Sequence, residues 1–129
     1  MASTMHVELV SIEAPIWEGE ATFVFARTTV GELGILPGHS ELLGELEPGY
    51  PVRIDQGGGD SITVAVHGGF LSVTRDGVSV LAEQAELATD IDVSRARDAL
   101  NRAERDEGGA EDAARKRALA RLRAAGESV

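Results

Sequence analysis

The sequence predicts an N-terminal antiparallel β-sandwich of about ten short strands, followed by a C-terminal antiparallel hairpin of two helices. Short runs of alternating polar and apolar residues recur along the first part with a turn signal at each junction, which favours a sandwich over a parallel α/β sheet. Beyond residue 89 the β-branched residues almost vanish, and Ala, Arg and Glu favour helices. We therefore divide the chain into a β-sandwich domain, residues 1–88, and a helical hairpin, residues 89–129.

The strands before the first long glycine-rich stretch are indicated by composition and period. Residues 6–11 alternate polar and apolar side chains, as a half-buried strand does. Residues 22–28 are rich in aromatic and β-branched side chains. Between them, Pro15 and Gly19 bracket a short segment around Trp17.

Residues 31–39 combine three glycines, Pro37 and His39 with three aliphatic side chains. Glycine adopts positive φ readily, and proline fixes its own φ and removes a hydrogen-bond donor. We interpret this segment as a shaped loop with buried aliphatic anchors, rather than as a helix or a regular strand.

Four further strands follow Pro48-Gly49. The predicted strands are residues 50–55, 61–67, 70–74 and 78–82. Pro51 indicates an edge strand or the start of a strand, because proline cannot donate to the ladder. The Asp76-Gly77 pair between two alternating runs predicts a tight hairpin.

The C-terminal region predicts two helices joined by Gly108-Gly109. Asp90 or Asp92 is placed to cap the first turn of the first helix. The predicted apolar faces are Val93, Ala96, Leu100 and Ala103 on the first helix, and Ala114, Ala118, Leu122 and Ala125 on a second helix over residues 110–125. Because alanine buries little area, we expect a marginally stable hairpin that moves easily.

Charge and composition narrow the function. Up to Asp92 there are fifteen acidic and three basic residues, and from Val93 onward seven acidic and nine basic residues. An acidic front half repels phosphate backbones, and the basic tail residues are interleaved with acids, so we expect no nucleic-acid partner. No apolar run approaches the roughly 18 residues that span a bilayer, so we expect no direct membrane insertion.

No pattern for catalysis or metal binding stands out. The chain has no cysteine, and its three histidines are too scattered for a helical metal motif. Neither a serine nucleophile elbow nor a phosphate-binding glycine loop occurs. We therefore predict no catalytic residue and no metal site.

Four arginines in the hairpin leave two interpretations open. Arg95 and Arg102 lie about two turns apart on the first helix, and Arg117 and Arg121 lie one turn apart on the second. They are either exposed surface residues or, if they converge, a polyphosphate site, since the guanidinium fork suits phosphate oxygens.

Several of these segments, taken in order, resemble the epsilon subunit of bacterial rotary F-type ATP synthase. The resemblance covers nearly the whole chain. It rests on residues 31–39, on Leu46 with Pro48-Gly49, on residues 68–73, and on residues 90–92 leading into the Ala/Arg-rich hairpin.

The resemblance implies a non-catalytic rotor subunit of the central stalk of the proton-translocating complex. The sandwich would couple the gamma subunit to the ring of membrane c subunits. The hairpin would modulate ATP hydrolysis by extending toward the catalytic head of alpha and beta subunits. The protein would then be peripheral to the cytoplasmic face of the bacterial plasma membrane, with no cofactor required and ATP as a regulatory ligand.

Two sets of residues match functional positions of the family. Partner contacts are implied for Glu32, Leu33, Gly34, His39, His67 and Gly68. Residues 91–96 match the I/L-D-x-x-R-A motif with which some members bind ATP. The implied nucleotide residues are Glu86, Ile91, Asp92, Arg95, Ala96, Arg102, Arg117 and Arg121. The hairpin turn and the tail after Leu122 are short, which predicts a shorter reach for the extended arm.

A different class of function remains open as an alternative. The chain would then be a free-standing β module that senses a small ligand or nucleotide, with the hairpin as its lid. Such a module would bind its ligand without a gamma partner, so co-purification with gamma separates the two hypotheses.

Overall fold

The computed structural model describes residues 3–105 and 109–129 of the chain. In these residues ten strands precede a short 3-10 turn, Ala88–Asp90, and two α-helices. The strands are β1 (Met5–Ser11), β2 (Pro15–Ala21), β3 (Phe23–Thr28), β4 (Gly31–Ile35), β5 (Leu42–Glu45), β6 (Pro51–Gly57), β7 (Asp60–Val66), β8 (Gly69–Thr74), β9 (Gly77–Ala82) and β10 (Ala85–Leu87). The helices are α1 (Val93–Arg105) and α2 (Gly109–Ala124).

The strands form two five-stranded sheets that pack as a sandwich, which confirms the predicted fold. The first sheet has the order β2-β1-β9-β8-β5, and the second has the order β10-β7-β6-β3-β4. Within the described residues the named strand pairs are antiparallel, except that β1 runs parallel to β9. Alternation along the chain does not predict this parallel pair, because it records which side chains face inward and not which strand lies alongside.

The core lies between the two sheets and follows the period of the strands. Leu9, Leu71 and Ile54 are fully buried, and each lies on the inward face of its strand. Val64 and Val66 of β7 face the same core, as the alternation predicts.

The interpretation of residues 31–39 as a loop is wrong for its first part, because Gly31–Ile35 is the edge strand β4. Antiparallel pairing with β3 gives this segment the backbone hydrogen bonds of a strand, despite its two glycines. Gly34 fits because the ring of Phe23 lies over it, and a Cβ at this position would come 2.8 Å from that ring. The turn begins after Ile35, where the His39 amide donates to the Leu36 carbonyl at 3.1 Å.

The predicted hairpin at Asp76-Gly77 is confirmed as the tight connection between β8 and β9. Arg75 and Asp76 form the turn, and Gly77 begins β9 with φ +149°. A Cβ at Gly77 would collide with the backbone oxygen of His6 on the adjacent parallel strand. The glycine therefore serves the β1–β9 pair as well as the turn.

Helix α1 begins where the sequence predicts. The Asp92 carboxylate accepts a hydrogen bond from the Arg95 amide at 3.0 Å, so Asp92 is the capping residue. Ala96, Leu100 and Ala103 are buried, as expected for the inner face. Gly108 of the predicted turn lies outside the described residues.

Helix α2 is buried along two faces, which differs from the single apolar face predicted. Ala118 and Leu122 pack with α1 as expected, and Leu119 joins them. A second face, Ala120 and Ala124, packs on the outer surface of β7. The sequence does not predict this face, because a run of alanine and arginine does not show which alanines meet a sheet. Neither helix, as far as the structure describes them, has the length and apolarity needed to cross a membrane.

Candidate functional site

A cleft of about 430 Å³ lies between the hairpin and the segment that leads into it, and we call it the hairpin cleft. Its walls come from the end of β10, the 3-10 turn, α1 and α2. The lining residues are Glu86, Asp90, Ile91, Asp92, Arg95, Ala96, Ala99, Arg102 and Arg121. The fold therefore gathers seven of the eight residues implied for nucleotide binding in one place.

Both helices contribute cations to the hairpin cleft. Arg95 and Arg102 are exposed on α1, one near the start of the helix and the other two turns later. Arg121 enters from α2 and is already paired with Glu86, with Nε at 2.6 Å from Oε2. The carboxylates in the cleft partly neutralise these cations. A polyphosphate that entered the cleft would therefore compete with Glu86 for Arg121.

Arg117 lies apart from the other three arginines. It lines a neighbouring cleft of about 590 Å³, between α2 and the end of the sandwich, together with Lys116, His67 and Gly68. Three of the four arginines therefore meet in the hairpin cleft, and Arg117 lies in the neighbouring cleft with His67.

His67, Glu86 and Arg121 form a polar cluster beneath α2, which we call the latch. The His67 Nε2 lies 2.9 Å from Glu86 Oε2, and the Arg121 Nε donates to the same oxygen. The His67 side chain is only 4% exposed. The latch therefore joins the end of β7, β10 and α2 through one carboxylate.

The electrostatics of the latch hold His67 neutral and Glu86 ionised. Burial lowers the pKa of His67 despite the hydrogen bond to Glu86, and the positive charges of Arg121 and Arg117 lower it further. Burial raises the pKa of Glu86, but the hydrogen bonds from His67 and Arg121 outweigh it, so this pKa is lowered. The His67 Nδ1 is buried without a hydrogen-bond partner among the described residues.

The residues implied for partner contacts fall in two places. Glu32, Leu33 and Gly34 lie on the edge strand β4, with the Glu32 carboxylate 3.5 Å from Arg27. His39 is half-buried just after the following turn, with its Nδ1 2.8 Å from the Ser40 carbonyl oxygen.

His67 and Gly68 lie away from that surface. His67 is buried in the latch, so its side chain is not presented to a partner while α2 covers it. Gly68 follows it with φ +80° and lies against the Glu83 carboxylate.

Comparison with known sequences identifies the family. Residues 4–88 match the family described as ATP synthase, Delta/Epsilon chain, beta-sandwich domain. An ATP synthase epsilon chain of Streptomyces griseus is 53% identical over 96% of this chain and 97% of its own. One from Mycobacterium avium is 52% identical over 74% of this chain and 78% of its own. The chain belongs to the ATP synthase epsilon chain family. It is thus a subunit of an ATP synthase rather than an enzyme by itself.

Solved structures share the fold of this epsilon chain. A chain of the Euglena gracilis mitochondrial ATP synthase (OSCP/F1/c-ring) matches with TM-score 0.73 and 23% identity over 92% of this chain and 75% of that one. A chain of the Tetrahymena thermophila mitochondrial ATP synthase (central stalk/c-ring) matches with TM-score 0.52 and 16% identity over 68% and 69% of the two chains. At these identities the likeness concerns the fold alone.

A second contact between the hairpin and the sandwich is not predicted by the sequence. The guanidinium of Arg123 on α2 lies 4.3 Å from the centre of the Tyr50 ring and donates to the Gly49 carbonyl at 2.7 Å. The guanidinium of Arg27 also lies 4.3 Å from the Tyr50 ring centre. Nothing in the Ala/Arg-rich run distinguishes Arg123 from an exposed arginine, so the sequence alone does not predict its contact with Tyr50.

The outer surface of the first sheet carries exposed apolar side chains. Leu43 of β5 is 73% exposed, and Phe70 of β8 and Leu81 of β9 are each 49% exposed. Phe70 and Leu81 are directly paired in register, so they adjoin each other. An apolar surface of this kind is typical of a contact with another chain.

The pairing of β1 with β2 also gathers His6 with three glutamates. The ligand atoms of His6, Glu8 and Glu18 lie within 4.8 Å of one another. The imidazole of His6 already contacts carboxylates at 3.5 Å from Glu18 and 3.3 Å from Glu20. The spacing along the chain did not predict this group, because it depends on the register of two strands.

Proposed function

We propose that this chain is a central-stalk rotor subunit of a proton-translocating F-type ATP synthase, and that its hairpin limits ATP hydrolysis. The single observation that carries the regulatory part is how α2 rests on the sandwich. Ala120 and Ala124 contact Ala65, and two polar contacts, the latch and the Arg123–Tyr50 pair, flank them. Small apolar contacts held by a few polar groups favour an arm that can be released.

The test of regulation is the rate of ATP hydrolysis by the assembled complex with and without residues 93–129. We expect faster hydrolysis without the hairpin. The truncated complex must still contain gamma in normal amount, which is checked by co-purification. An unchanged rate in a fully assembled complex would leave a purely structural role.

The sandwich is proposed to couple gamma to the c-ring. The exposed apolar surface around Leu43, Phe70 and Leu81 suits an extended contact with gamma, because such a face is poorly solvated when free. The edge strand β4 and the turn that holds His39 are proposed to contact the foot of the stalk and the ring. The complex would place this chain at the cytoplasmic face of the bacterial plasma membrane.

A charge reversal on β4 tests the foot contact. Glu32→Lys should weaken attachment to the ring or gamma while the isolated chain stays folded, because Glu32 is exposed and pairs only at 3.5 Å with Arg27. Asp76→Lys, on the exposed β8–β9 turn, is the charge-matched control. Normal assembly and coupling with Glu32→Lys would reduce β4 to a structural role.

We further propose that the hairpin cleft binds ATP as a regulatory ligand. Arg95 and Arg102 would meet phosphate oxygens, and Arg121 would exchange Glu86 for the nucleotide. Calorimetric titration of ATP into the wild type and Arg95→Ala tests this, and we expect binding to weaken in the variant. Arg97→Ala is the matched control, because Arg97 contacts Glu127 and Ser128 outside the cleft. No binding by the wild type would remove the proposal.

The alternative function is a free-standing ligand sensor with a helical lid. The observation in its favour is that the hairpin cleft is built within a single chain. Membership of the epsilon chain family favours the subunit instead. Purification from the native organism decides: an associated gamma subunit supports the rotor, and a monomer with tightly bound nucleotide supports the sensor.

A further inference from the structure

His67 directly follows the last residue of β7, and the proposed function assigns it no role beyond its place in the latch. Ala65 and His67 are two residues apart and therefore lie on the same side of the second sheet. Ala65 is covered by Ala120 and Ala124 of α2. The burial of His67 thus depends on the same helix, which also supplies Arg121 to the latch.

The two ring nitrogens of His67 have different surroundings. Nε2 lies 2.9 Å from the Glu86 carboxylate and donates to it in the neutral ring. Nδ1 is buried and has no partner among the described residues. A second proton would have to reside on Nδ1, where a buried N–H without an acceptor is unfavourable.

We propose that the latch makes the docking of the hairpin on the sandwich sensitive to protons: uptake of a proton by His67 favours release of α2. The proposal rests on the proposed function, in which the hairpin leaves the sandwich. It adds that a proton is the signal that favours release, and that His67 is the residue that binds it. The state with α2 released would expose the imidazole to water, where both ring nitrogens can donate.

The charged groups around His67 are consistent with this direction. Glu86 on β10 attracts the proton, while Arg121 and Arg117 on α2 repel it, and burial opposes the charge more strongly than any of them. The result is a lowered pKa for His67 in the docked state. The neighbouring cleft, which His67 also lines, adds charges of both signs from Glu13, Glu83, Asp112 and Lys116.

The direction of the pH effect follows from linkage. Released His67 would titrate near the ordinary value of 6.5, and docked His67 titrates at lower pH. Docking is therefore strongest above this ordinary pKa and weakens as the pH falls toward the lower docked pKa. The docking equilibrium should change by at most roughly tenfold per pH unit in that window. Glu86 has its own pKa lowered, from an ordinary value of 4.5, so it responds at more acid pH.

The absence of cysteine makes the experiment direct, because labels can be placed at will. Spin labels at Glu13→Cys and Arg115→Cys report the distance between the sandwich and α2 in the full-length chain. Between about pH 8 and about pH 5.5, we expect the short-distance population to fall. In His67→Gln, which can still donate to Glu86 but does not titrate, the population should stay constant. His6→Gln, at an exposed histidine on β1, should keep the wild-type profile.

An independent measurement protects the test from a variant that misfolds. Nuclear magnetic resonance titration of the wild-type His67 imidazole should give a pKa below the ordinary value of 6.5. An ordinary His67 pKa, or the same pH profile in His67→Gln as in the wild type, would overturn the latch. These readouts concern docking in the free chain, so they can fail while the hydrolysis assay of the complex succeeds, and the reverse.

Discussion

The sandwich core and the contact between the hairpin and the sandwich are built from different side chains. Between the sheets, large aliphatic residues such as Leu9, Ile54 and Leu71 are fully buried. Under α2, the buried side chains at the contact with β7 are the small Ala65, Ala120 and Ala124, and Ala88 and Ile91 pack against them partly buried. Because the stabilisation from burial scales with apolar area, we expect the sandwich core to be more stable than the contact under α2, which also depends on polar groups.

The sharpest test of this difference is a matched pair of leucine truncations. Leu71→Ala in the sandwich should lower the free energy of unfolding by about 2–5 kcal/mol, because it leaves a cavity between two sheets. Leu122→Ala, equally buried but in the hairpin, should leave the unfolding of the sandwich nearly unchanged. Urea unfolding followed by fluorescence of Trp17, the single tryptophan, measures both. Equal losses would mean that hairpin and sandwich unfold as one unit.

Removal of the Arg123 contact should weaken the docking of α2 on the sandwich without affecting the sandwich core. Arg123→Ala loses the hydrogen bond to the Gly49 carbonyl and the stacking on Tyr50, which together are worth about 1–3 kcal/mol. Hydrogen exchange of α2 amides should quicken while that of β7 and β8 stays slow. Arg115→Ala, on the exposed side of α2, is the control and should change neither.

The cap of α1 offers a smaller change confined to the hairpin. Asp92→Ala removes the hydrogen bond to the Arg95 amide and should destabilise the helix by about 1 kcal/mol. The measurement is the helical circular dichroism signal at moderate temperature, which should be weaker in Asp92→Ala than in the wild type. Asp90→Ala, two residues before the capping residue, should have little effect, and an equal loss from both variants would argue against a specific cap.

Deleting the hairpin should leave the sandwich folded. The core residues between the sheets all lie within residues 5–87, so a chain ending at Asp90 should keep its β-type circular dichroism. It should lose its helical signal and expose Ala65 and His67. A truncated chain without β structure would show that the two-domain division is wrong.

Much of this molecule follows from local physical rules that the sequence carries. Alternation placed Val64 and Val66 in the core, because successive side chains of a strand point to opposite faces. The Asp76-Gly77 turn and the Asp92 cap are likewise local, since each depends on a few neighbouring residues. For the hairpin cleft, the motif at residues 91–96 contains four of the nine lining residues, Ile91, Asp92, Arg95 and Ala96.

What the tertiary structure decided is which distant segments meet. The parallel pairing of β1 with β9, the strand β4 under Phe23, and the separation of Arg117 from the other arginines depend on contacts between residues far apart in the chain. The latch is the clearest case, because its three side chains come from β10, α2 and the end of β7. No local pattern distinguishes a buried histidine from an exposed one when the helix that covers it lies about fifty residues away, since burial is a property of packing.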